Sequence, residues 1–222
     1  MITSSLPPSA SATPSRPRRW PQWVIATVVA LACSGLLLLW LLGGRFIGWE
    51  VERLTGQGVV TIHQAQPLAE SVRSYLFSDS GGLIQQHRLN NLERQHLLSV
   101  KGMVGQLKLV TLLLGFVSLV SLIQFRRELR TVLRNYAIVV CGMVSLSALL
   151  LSTFGFAQSF IWLHQRLFSH PDWIFPADSV LTALFPPQLF LHGLMAWLSL
   201  FVATAIVAVA LRHFTSHGST LQ

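Results

Sequence analysis

This 222-residue sequence predicts an all-α polytopic membrane protein: four transmembrane helices joined by helical extracytoplasmic loops. Three observations predict it. Its residues are 52% hydrophobic and only 11% charged, with a mean hydropathy of +0.56, whereas soluble domains carry about 25% charged residues. Four apolar runs, at roughly 23–42, 107–123, 136–156 and 190–211, are each long enough to cross a bilayer core that needs about 20 residues. The charges are also segregated, with basic residues on one set of connections and acidic residues on the other.

Residues 1–19 are rich in Ser, Pro and Ala without apolar periodicity, which predicts a disordered tail. A single four-helix membrane domain is expected over 20–215, followed by a short tail at 216–222. The first apolar run passes through ALAC, residues 30–33, which imitates a lipoprotein cleavage box. The run continues past Cys33 as GLLLLWLL, so an uncleaved helix is expected. Cys141 falls inside the third run, and neither thiol points to a disulfide or a metal site.

Two large connections, 43–106 and 157–189, hold seven of the eight acidic residues: Glu50, Glu52, Glu70, Asp79, Glu93, Asp172 and Asp178. In the first, PLAESVRSYLF has helical apolar spacing at Leu68, Val72, Tyr75 and Leu76, and SDSGG then breaks the chain. From Asn91 a further helical pattern runs without interruption into the second span, where Lys108 at the edge can snorkel to the interface. The 124–135 connection carries Arg126, Arg127, Arg130 and Arg134 against Glu128 alone, and the N-terminal tail carries Arg16, Arg18 and Arg19. Both termini and this connection are therefore expected on the cytoplasmic side, with the two acidic loops outside. The net charge of +8 is largely this topology signal and calls for no nucleic acid.

Two constellations on the outer side carry chemistry. Glu93 and His96 are three apart on one helix face. A carboxylate beside an imidazole tunes its protonation and selects its tautomer, which suits acid–base work, and the same spacing equally describes a solvated surface pair. In the other loop, WLHQRLFSHPDWIFPADSV brings His164, Arg166, His170, Asp172, Trp173 and Asp178 together, and Pro171 and Pro176 predict a folded-back turn rather than a continuous helix. An interfacial loop anchored by Trp162 and Trp173 is the plainer reading of the same residues. His164, His170, Asp172 and Asp178 are chemically able to bind zinc, but their spacing matches no metal motif, and no cofactor is expected. GxSxG and phosphate-loop motifs are absent from the sequence. His63, His87, His170 and His192 read as structural or interfacial.

Two of these segments carry a resemblance. ERQHLLSVK, with Glu93, His96, Val100 and Lys101, leads into the second span; LHQRLF, DWIF and PADSVLTALFP supply His164, Phe168, Asp172, Trp173, Asp178, Phe185 and Pro186. In this order, on a four-span frame, the chain resembles the bacterial membrane family of the lipoprotein intramolecular transacylase. It departs from that pattern at Ser99, where the family has an acid, and at Leu163, where it has an aromatic residue. The resemblance implies an enzyme of the bacterial cytoplasmic membrane. Its substrate would be a diacylglyceryl-cysteine lipoprotein within the membrane lipid, and it would move the sn-2 acyl chain to that cysteine's own α-amine. It also implies His96 and His164 as catalytic residues. Lys101, Arg166 and Trp173 are then candidates to stabilise the oxyanion, with Glu93, Asp172 and Asp178 as orienting groups. The sequence also allows a non-enzymatic protein that binds a lipid or partner through its outer loops, and a metal-dependent lipid hydrolase. Oligomeric state is not read from it.

Overall fold

The structure is a computed structural model that describes residues 20–58, 61, 65–78, 88–168, 173–176 and 178–217. Its helices are α1 (Trp20–Gly43), α2 (Phe46–Gly56), α3 (Ala65–Phe77), α4 (Asn91–Gln124), α5 (Leu129–Leu167), α6 (Val180–Leu184) and α7 (Pro187–His217). Four of them, α1, α4, α5 and α7, are long and apolar enough to cross a membrane, and no strand occurs among the described residues. The expected tails at 1–19 and 218–222 lie outside the described residues, as do His63, Asp79, His87, His170 and Asp172.

In hydrocarbon, apolar burial does not drive helices together, so small side chains and close packing must do so. The core of the bundle follows that rule. Ala26 and Ala30 of α1, Ala137 of α5, and Ala205 and Ala208 of α7 pack around Phe201, Val132, Val140 and Tyr136. Leu112, Phe116, Leu149 and Ile206 turn outward, as a lipid-facing surface requires. Gly35 lets α1 approach α4 so closely that a Cβ there would run into Thr111, itself buried. Two polar contacts inside the bundle join neighbouring helices: Trp197 Nε1 donates to Ser34 O at 3.1 Å, and Tyr136 and Thr204 hydroxyls lie 2.6 Å apart.

At the end where α1 and α5 finish and α4 and α7 begin, α2, α3 and α6 form a helical cap. Val51, Leu54, Ala65, Leu68, Ala69, Leu184 and Leu189 make one cluster; Val72, Leu89, Leu97 and Leu181 make the next. Cations fasten cap to bundle at exposed helix carbonyls, where the helix dipole favours them. Arg73 Nη1 donates to Gly43 O at 2.5 Å, at the end of α1. Lys108, expected to snorkel, donates to Phe77 O at 2.9 Å, at the end of α3.

Two boundaries differ from the sequence reading. The third span does not end at Phe156: Gly155, at φ 71° and ψ 166°, breaks the helix, which resumes at once and runs to Leu167. Only glycine adopts that conformation readily, so the bend costs no side-chain strain. The expected loop 157–189 is consequently helical through its first third, and that helical segment carries His164. The last helix starts at Pro187, not at 190, because proline fits the first turn, where its missing N–H is not needed. The helix from Asn91 runs unbroken to Gln124, as expected.

Gly35→Leu is predicted to cost about 1–3 kcal/mol by overpacking α1 against α4. Thermal unfolding in detergent measures this, with Gly115→Leu, whose Cβ meets nothing within 4 Å, as an unaffected control.

Candidate active site

Asn90 and Glu93 begin the site. Asn90 Oδ1 accepts the Glu93 N–H at 2.9 Å and Glu93 Oε2 accepts the Asn90 N–H at 2.8 Å, a reciprocal cap that starts α4. The other carboxylate oxygen, Oε1, reaches across the cap to Ser179 Oγ at 2.6 Å and the Leu181 N–H at 3.2 Å. Glu93 is 1% exposed, so the solvated surface pair that its spacing allowed is not what forms. A carboxylate buried this deeply needs such donors to offset lost hydration. Ser179 is in turn the N-cap of α6, accepting the Thr182 N–H at 3.3 Å. The α6 cap is thus Ser179, and Asp178 beside it is exposed.

This lock draws the segment preceding α6 against α4, one turn before His96. His96 packs against Phe168, with ring centroids 4.7 Å apart, and edge-on against Phe175 at 5.3 Å. His164, near the end of α5, packs against Phe168 at 5.5 Å, Trp173 at 5.3 Å and Phe160 at 3.9 Å. Phe168 is buried and touches both imidazoles, which come from helices far apart in the sequence. His164 Nδ1 lies 2.8 Å from the Phe160 carbonyl, which can only accept a hydrogen bond. Nδ1 therefore carries the proton, and Nε2 is the basic nitrogen when the ring is neutral. Two imidazoles in a wall of Phe160, Phe168, Phe175 and Trp173 can exchange protons with a bound molecule while water is kept away.

The sequence candidates divide accordingly. His96, His164 and Trp173 come together, and Glu93 holds the elements that bring them there. Lys101 Nζ lies 4.4 Å from the Tyr75 ring centroid on α3, and the Arg166 guanidinium lies 5.5 Å from the ring of Trp162. Asp172 is outside the described residues. Among the described residues no group of three or more metal-ligating side chains converges. Reading the sequence passed over Ser179, Phe160 and Phe175. The N-x-x-E pattern of Asn90 and Glu93 is a recognisable capping signal, but Ser179 has none, since its partner is 86 residues away.

A second polar centre was also passed over. Glu50 on α2, 1% exposed, takes Arg53 Nη2 at 2.5 Å and Nε at 3.1 Å, and His192 of α7 contacts the same carboxylate through Nδ1. Burial alone would raise the Glu50 pKa, but hydrogen bonds from Arg53 and His192 outweigh it and hold the carboxyl below its ordinary range.

Comparison with known proteins follows this geometry. The family described as "Lipoprotein intramolecular transacylase Lit" matches residues 22–190. The fold is similar to the in meso structure of the membrane integral lipoprotein intramolecular transacylase Lit from Bacillus cereus. That match has a TM-score of 0.77 at 19% identity and covers 92% of this chain and 98% of that one. Two variants of the Bacillus cereus protein, with one histidine replaced by arginine or by alanine, match with the same TM-score at 17% identity. The arginine variant's match covers 91% of this chain and 93% of its own; for the alanine variant the shares are 92% and 96%. No curated protein sequence matches.

Ser179→Ala is predicted to lower stability by about 1–3 kcal/mol, because Glu93 then stays buried with one donor fewer. Glu93→Ala should cost more, since Asn90, Ser179 and Leu181 all lose their acceptor. Melting temperatures in detergent give the order.

Proposed function

The chain belongs to the lipoprotein intramolecular transacylase family of membrane enzymes, and from that premise we propose that it makes lyso-form lipoproteins. Its substrate is a diacylglyceryl-cysteine at the N-terminus of a lipoprotein, and its product carries the former sn-2 acyl chain on the cysteine nitrogen. The family sets aside the non-enzymatic binding role that the sequence also allowed. The observation that carries the reading is that His96 and His164, from different helices, pack against the same ring, Phe168.

The chemistry balances without a co-substrate. The α-amine nitrogen attacks the sn-2 ester carbonyl, forming the N–C bond and a tetrahedral oxyanion. The C–O bond of the ester then breaks, the nitrogen gives up a proton, and the sn-2 oxygen gains one as a free hydroxyl. One imidazole takes the first proton and the other supplies the second. An α-amine with a pKa of about 7.7–8.0 asks only for a base of ordinary histidine strength. Nucleophile and ester are in one molecule, so holding them aligned removes several kcal/mol of the barrier. The surrounding aromatic wall protects the ester from hydrolysis. Trp173, beside His164, is the nearest of the candidate oxyanion donors to be supported by contact with a catalytic ring. The site faces outward from the bacterial cytoplasmic membrane, with both termini inside, a reading supported by Arg126, Arg127, Arg130 and Arg134 at the opposite end of the bundle.

Mass spectrometry of a lipoprotein N-terminus is the test, in a host that lacks its own N-acylating enzyme. With the wild-type protein the acyl chain should move to nitrogen with total mass unchanged. His96→Ala and His164→Ala should each slow conversion by about 10²–10⁴-fold, the contribution of a positioned acid or base. Full conversion by both variants would sink the assignment.

A further inference from the structure

The Glu50–Arg53–His192 centre lies at the same end of the bundle as the two histidines and is used by no step of the acyl shift proposed above. A carboxylate, a guanidinium and an imidazole from two helices are a costly way to join α2 to α7, since apolar residues of similar volume are often as stable or more so. The arrangement also leaves reactive edges outward. His192 Nδ1 lies against both Glu50 Oε1 and Arg53 Nη2, so this ring nitrogen is engaged inside the centre and Nε2 is turned away from it. Arg53 spends Nε and Nη2 on Glu50, with Nη2 2.6 Å from His192 Nδ1. Among the described residues Arg53 Nη1 and His192 Nε2 make no hydrogen bond, and the two side chains are 36% and 38% exposed.

We propose that Arg53 and His192, braced by Glu50, bind the phosphodiester of a bilayer phospholipid on the α2–α7 face. Charge selects the group. Glu50 and Arg53 cancel, so the outward N–H edges of the guanidinium and the imidazole meet a phosphodiester monoanion without an excess of negative charge beside it. Arg53 Nη1–H donates to one phosphate oxygen and His192 Nε2–H to another, both charge-assisted.

Position selects a lipid over free phosphate. Trp49, with the Arg53 guanidinium 6.0 Å from its ring centroid, and Trp40 are among the most exposed large side chains, as indoles in a headgroup layer are. On α7, Met195, Val202 and Ile206 follow His192 at helical spacing, and all are exposed. That stripe continues from the polar centre along the membrane span, where an acyl chain would lie. The proposal does not depend on the transacylase reading, because binding is read separately from conversion.

Native mass spectrometry of the delipidated full-length protein, titrated with phosphatidylglycerol, phosphatidylethanolamine or diacylglycerol of equal chain length, tests it. Both phospholipids should bind about a hundredfold more tightly than diacylglycerol, which lacks both charge-assisted contacts, each taken as about tenfold. Arg53→Gln and His192→Gln should each remove about tenfold of that advantage. Glutamine at 192 keeps an N–H for Glu50 but has no second ring nitrogen, so its binding decides the matter if Arg53→Gln does not fold. Equal binding of diacylglycerol, or undiminished phospholipid binding in folded His192→Gln, overturns the proposal. Displacement of phospholipid by millimolar inorganic phosphate would overturn it in favour of a free-phosphate site.

Discussion

One buried carboxylate sets the geometry on which the candidate site depends. Glu93 closes the first turn of α4 through Asn90 and, with its other oxygen, holds Ser179 and Leu181 at the start of α6. Burying an ionised group is unfavourable unless its lone pairs are occupied, so the three donors are needed together. Phe175 comes down on His96, and Trp173 meets His164. The aromatic packing around two imidazoles on different helices thus follows from a hydrogen-bond network one turn before His96.

The bundle and the cap divide the work. Small residues of α1, α5 and α7 allow close packing where no water is present to drive it. The cap, by contrast, is held by apolar clusters and by cations on helix carbonyls, in a region where the chain leaves hydrocarbon. Acyl transfer between groups of one molecule suits that boundary. In the proposed reaction the chains of the lipid substrate would remain in the bilayer while its polar linkage reached the imidazoles. Gly155 contributes by breaking α5 so that its last segment, with Phe160 and His164, takes a direction of its own.

Much of this was legible in the sequence, for identifiable reasons. Four apolar runs and the continuity of α4 follow from hydropathy and periodicity, which act locally. His96 and His164 were singled out from the other outer histidines by the resemblance of ERQHLLSVK and of the LHQRLF and DWIF segments to the transacylase family. The partners of Lys101 and Arg166 were not legible: both cations lie over aromatic rings, Tyr75 and Trp162, and a long flexible side chain takes whichever partner the packing offers. The helix beyond Gly155 was missed because a glycine before a polar stretch reads as a stop, and only its φ of 71° distinguishes a bend from an end.

By itself, then, the sequence determined the four apolar spans and the cap-forming α3 helix, since each is specified by residues within a few turns of one another. Tertiary structure alone decided that Glu93 is a buried lock, that Phe168 touches both imidazoles, and that His192 joins Glu50 and Arg53. The lock and the His192 junction connect residues 86 and 142 positions apart, and Phe168 meets His96 from the end of another helix. No local pattern encodes them, because the cost of burying a charge or a ring is set by what the folded chain brings beside it.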